Sequence, residues 1–85
     1  MNKKHIRTYE AIFHDPVLSN INWKDIESML KASGAKLTEG RGSRIRVKLN
    51  NIFATFHRPH PNKETDKGAV KQIRRFLINA GVEIC

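Results

Sequence analysis

Ser43-Arg44-Ile45-Arg46-Val47-Lys48-Leu49-Asn50-Asn51-Ile52-Phe53-Ala54-Thr55-Phe56-His57 alternates apolar and polar residues, breaks at two asparagines and alternates again. Period-two alternation marks a strand with one buried face, and Asn tolerates the positive φ angles that a two-residue hairpin turn demands. The run therefore predicts a strand over 43–49, a turn at Asn50-Asn51 and a returning strand over 52–57. Pairing Leu49 with Ile52 sets Val47 against Ala54 and Ile45 against Phe56 on the buried side. The same register sets Lys48 against Phe53, Arg46 against Thr55 and Arg44 against His57 on the open side. An apolar sheet face must be covered, so the hairpin predicts an α+β fold with helices on one side of the sheet.

The flanking sequence supplies the cover. Upstream, Ala35 to Glu39 can add a third antiparallel strand through a turn at Gly40-Arg41-Gly42. Asn22 can cap a helix in which Asp25 suits the N-terminal dipole, Trp23, Ile26, Met29 and Leu30 form the apolar stripe, and Gly34 is the stop. Residues 3–13 carry Ile6, Tyr9, Ile12 and Phe13 at helical spacing and end before Asp15-Pro16, which disfavours continuation. A last helix starts at Thr65 or Asp66, buries Val70, Ile73, Phe76, Leu77 and Ala80, and stops at Gly81. Its outward side carries Lys67, Lys71, Arg74 and Arg75 without an acid. A chain of 85 residues has room for one domain with a thin core.

Sixteen Lys and Arg against eight Asp and Glu give a net charge of +8 and a pI near 10.2, which points to a polyanionic partner, nucleic acid first. No stretch approaches the ~18 apolar residues of a membrane span. The residues from Met1 to His14 lack a signal-peptide pattern, so the cytoplasm is the expected compartment. A single cysteine, Cys85, excludes an intramolecular disulfide.

Chemistry concentrates in Phe56-His57-Arg58-Pro59-His60-Pro61-Asn62-Lys63-Glu64, which follows the alternating strands with two histidines and two cations. The bland reading is a solvated sheet face followed by an exposed polar loop. The sharper one is RNA cleavage, which needs a group to take the proton of the 2′-hydroxyl, a group to protonate the leaving oxygen, and cations for the transition state. His57 and His60 can supply the first two. Arg44, Arg46, Lys48, Arg58, Lys63, Lys71 and Arg74 can bind the phosphates. His57-x-x-His60 has two of the four ligands that zinc wants, so neither a metal nor another cofactor is expected. His5 and His14 read as surface residues at the ends of the first helix, Trp23 and Phe56 as packing, and Phe53 as the one aromatic placed to touch RNA.

The run Leu37-Thr38-Glu39-Gly40-Arg41-Gly42-Ser43-Arg44, the strand pair, Arg58-Pro59-His60-Pro61-Asn62-Lys63-Glu64 and the closing helix to Ala80-Gly81 resemble the HicA toxins of bacterial HicA-HicB toxin-antitoxin modules. The resemblance covers residues 22–83 of one domain spanning 1–85 and leaves 1–21 as an N-terminal addition. It implies a double-stranded-RNA-binding-like α-β-β-β-α fold, metal-independent endoribonuclease cleavage of mRNA, and neutralisation by a HicB-like antitoxin. It also implies an active-site histidine after the Gly-Ser turn, where this chain has Arg44. Arginine stays protonated at neutral pH, so base catalysis requires another histidine. His57, across the hairpin from Arg44, and His60, in the Pro-His segment, are the candidates. Without either, the scaffold is a non-catalytic RNA- or DNA-binding module.

Overall fold

The computed structural model describes residues 2–60 and 62–82; Pro61 of the Pro-His segment and Cys85, with the reading attached to it, lie outside the described residues. In chain order the elements are α1 (Lys3–Ile12), β1 (Ile21–Asn22), α2 (Trp23–Ala32), β2 (Lys36–Glu39), β3 (Arg44–Leu49), β4 (Ile52–His57), β5 (Glu64–Thr65) and α3 (Lys67–Asn79). The main sheet is antiparallel in the order β2-β3-β4, an α+β arrangement. Asn50 and Asn51 turn the β3–β4 hairpin with φ of 51° and 65°, the conformation Asn adopts more cheaply than β-branched residues.

Burial follows the period of each element. Ile45, Val47 and Leu49 of β3 point inward against Ile26, Met29 and Leu30 of α2 and Val70, Ile73 and Leu77 of α3, all within one buried cluster. Phe56 sits between Trp23 and Phe76, edge-on to both with ring centroids 6.2 and 5.8 Å away, contacts worth about 0.5–1.5 kcal/mol each beyond area burial. Helix ends are closed locally. Asn22 Oδ1 accepts from Lys24 N, Asp66 Oδ1 accepts from Ala69 N, and Gly81 ends α3 with φ of 72°.

Four features depart from or add to the sequence reading. A second, two-stranded sheet pairs Ile21 with Thr65 and Asn22 with Glu64, tying the segment before α3 to the start of α2. Two residues are too few for alternation to register. Residues before Asn22 share the same core: Ile12 is fully buried, and Tyr9 Oη donates to Val82 O. His5, expected at the surface, is half-buried between helices with Nε2 2.9 Å from Ser28 Oγ; His14 remains exposed. The hairpin turn is fastened to the last helix by Asn50 Nδ2, which donates to Ala80 O at 2.7 Å. The sheet is thus fastened from its covered side.

Candidate nucleic-acid interface

The covered face takes every second residue of the sheet, and the remainder form the open one. The β3–β4 register pairs Arg44 with His57, Arg46 with Thr55 and Lys48 with Phe53. β2 adds Lys36 opposite Lys48 and Thr38 opposite Arg46. All eight side chains are exposed, and no carboxylate stands among them. Lys36, Thr38, Arg46, Lys48, Phe53 and Thr55 line a shallow trough of about 720 Å³. Lys36 and Lys48 face each other as a like-charge cross-strand pair, an arrangement costing roughly 0.2–1 kcal/mol in the free protein that a bound anion would relieve. Lys36 and Thr38 were missed in the sequence because β2 is short; the signal was their own alternation in Lys36-Leu37-Thr38.

At one end of this face Arg44 and His57 sit side by side. The turn before Arg44 is held by Gly40, whose N–H donates to Arg44 O at 2.9 Å; a Cβ on Gly40 would lie 3.2 Å from Arg44 Cβ, so a larger residue there would push Arg44 aside. The ladder continues one step past His57, with Arg58 N donating to Ser43 O at 2.8 Å. His57 is thereby fixed at its backbone while its imidazole faces solvent.

Alternation turns Arg58 to the opposite side. Its Nε donates to Glu27 Oε2 at 2.8 Å, Nη2 to Glu27 Oε1 at 3.2 Å, and Nη1 to both Glu39 oxygens at 2.7 Å. Trp23 Nε1 also donates to Glu27. Burial pushes the Glu27 carboxyl up, but the bonds from Arg58 and Trp23 outweigh it and hold the group below the usual glutamate range. The bonds to Glu27 and Glu39 raise the pKa of Arg58 further above its already high value. Arg58 therefore clamps α2, β2 and the start of the Pro-His loop together.

The other candidates separate into distinct places. His60 is exposed in the loop, three residues on from His57. Lys63 is exposed beside the N-terminus of α2, its carbonyl accepting from Trp23 N at 2.9 Å. Lys71 is exposed on α3. Arg74, expected on the outward side of that helix, is half-buried instead: Nε donates to Ile12 O and Nη2 to His14 O, satisfying carbonyls at the end of α1. The sheet thus gathers Arg44, Arg46 and Lys48 with His57, while Arg58 and Arg74 are engaged within the fold. Among the described residues, no three His, Cys, Asp or Glu side chains cluster as a metal site would require, and no helix is long and apolar enough to cross a membrane.

A three-stranded antiparallel sheet backed by helices and presenting a basic open face is the frame of a small double-stranded-RNA-binding-like domain. Residues 23–82 match the family described as the HicA toxin of bacterial toxin-antitoxin modules, and the chain belongs to that family. Membership implies the toxin's part in such a module and an antitoxin as partner. No curated protein and no solved structure matches the chain.

Proposed function

We propose that this chain is a cytoplasmic, metal-independent endoribonuclease that cleaves mRNA by histidine acid-base chemistry on the open sheet face. The observation that carries the reading is the pairing of His57 with Arg44, which sets an exposed imidazole beside the position where the family's histidine is replaced. Directly opposed cross-strand residues have β-carbons about 5 Å apart, so a base on β4 can reach nearly the same phosphate as one on β3. His57 takes the proton of the 2′-hydroxyl, and the oxygen attacks the adjacent phosphorus. Arg44 and Arg46 stabilise the charge that builds on the phosphate oxygens. His60, in its protonated form, delivers a proton to the departing 5′-oxygen. The products are a 2′,3′-cyclic phosphate and a 5′-hydroxyl.

Residues 1–21 belong in this proposal to the same folding unit as 22–83, because Ile12 and Tyr9 pack into its core. The antitoxin is HicB-like and silences the enzyme by covering the sheet face and the His57–Lys63 loop. One observation favours a second reading. Arg44 at the usual histidine position is also what a non-catalytic RNA- or DNA-binding module would carry. RNA incubated with purified protein in EDTA separates the two: cyclic phosphate ends support the nuclease, and bound but intact RNA supports the binding module.

A further inference from the structure

Phe53 is 72% exposed, on the edge strand β4 of the open face, two residues after the Asn50-Asn51 turn. It has Lys48 Nζ 5.4 Å from its ring centroid and shares the trough with Lys36, Arg46 and the hydroxyls of Thr38 and Thr55. We propose that Phe53 is a stacking platform for one base of an unpaired RNA segment, so that the open face selects single-stranded over double-stranded RNA. This rests on the RNA reading of the face given above.

In a duplex, both faces of every base are covered by neighbouring bases, and an A-form helix offers proteins its phosphates and the 2′-hydroxyls of a shallow groove. An aromatic ring standing among the cations has no base to stack on there and holds the backbone away from them. In a single strand the bases have free faces, and a positive groove that tracks phosphates around an aromatic platform is the general solution for binding it. An antitoxin that covers this face hides the ring together with the cations, so the platform acts on RNA when the toxin is free. Lys48 is the mobile part. Its ammonium rests over the ring through a cation–π contact that is weak at an exposed site, and it can move to a phosphate when a base takes its place.

The test uses a fluorescent 2′-O-methyl RNA of a dozen nucleotides, which lacks the 2′-hydroxyl nucleophile, as a single strand and as a duplex. Binding is followed by anisotropy to the wild type, Phe53→Ala, Phe53→Leu and Phe53→Trp. The expected result is tighter binding of the single strand, a loss of about 5- to 100-fold in Phe53→Ala on that probe, no change on the duplex, retention in Phe53→Trp and weakening in Phe53→Leu. The salt slope of Phe53→Ala stays at the wild-type value, because the ring carries no charge. Such an exposed side chain can be replaced without disturbing the core, and circular dichroism checks this. Equal affinity for both probes, with Phe53→Ala binding as the wild type does, overturns the stacking inference and leaves RNA binding standing. Failure of the wild type to bind either probe overturns the RNA reading itself. Loss of antitoxin binding in Phe53→Ala with RNA binding intact overturns the inference in favour of a protein contact.

Discussion

Replacing Arg58 by alanine should destabilise the protein while leaving its affinity for RNA nearly unchanged. The guanidinium reaches two carboxylates of unequal burial: the Glu27 side chain is 16% accessible and that of Glu39 is 70%. The Glu39 arm behaves as a surface pair, worth about 0–1 kcal/mol. The Glu27 arm is a two-pronged charged hydrogen bond to a mostly buried acid, worth about 1.5–3 kcal/mol. A partly accessible Arg58 keeps the total near 2–3 kcal/mol, short of the ~3–5 kcal/mol expected when a fully buried pair is broken. For a domain of this size that is a fall in Tm of roughly 10–20 °C, measurable by circular dichroism. Arg58→Lys should recover less than half, because an ammonium cannot bridge both acids in the plane of a guanidinium fork. Linkage gives a second readout. The Glu27 pKa is lowered by folding, so its contribution is fully present above the ordinary value near 4.5 and is lost as pH falls through the folded value. Arg58→Ala removes the largest source of that lowering, so its stability should fall less steeply below about pH 5 than that of the wild type. An Arg58→Ala protein as stable as the wild type but deficient in RNA binding would refute this account and return the side chain to a phosphate.

Arg74→Ala should likewise cost stability, about 1–3 kcal/mol for two backbone carbonyls left without their donor; denaturant titration should show it, with RNA affinity and salt slope unaffected. Lys36→Ala should do the reverse, weakening binding to all RNA sequences and lowering the salt slope by about 0.7 on a single strand. Its folded stability should hold or rise slightly, since the like-charge contact with Lys48 is removed.

The contrast between these cations shows how far the sequence could be read. Residues 43–57 encode the hairpin, its register and the composition of its open face, because alternation and the Asn50-Asn51 turn are local properties that tertiary contacts reinforce. Phe53 outward and Phe56 inward follow from the same pattern. Arg58 and Arg74 look no different in the sequence from Arg44 or Arg46, and their partners lie far along the chain. Glu27 is 31 residues from Arg58, and Ile12 is 62 from Arg74. Only the fold, which brings Glu27 of α2 and Glu39 of β2 to the end of β4 and packs α1 against α3, turns those guanidinium groups inward. Lys36 joins the trough for a related reason. Its outward direction depends on the pairing of β2 with β3, which four residues barely announce.

The most direct test of the central claim is the rate at which 2′,3′-cyclic phosphate forms on RNA in EDTA, compared among the wild type, His57→Ala and His60→Ala. The account predicts that His57→Ala keeps its fold and its RNA affinity while cleavage falls by about a hundredfold or more, the usual worth of acid-base catalysis, with a smaller loss in His60→Ala. Full activity in His57→Ala with loss in His60→Ala would move the base to the loop. Undiminished cleavage in both single variants and in their double would contradict histidine-based cleavage altogether.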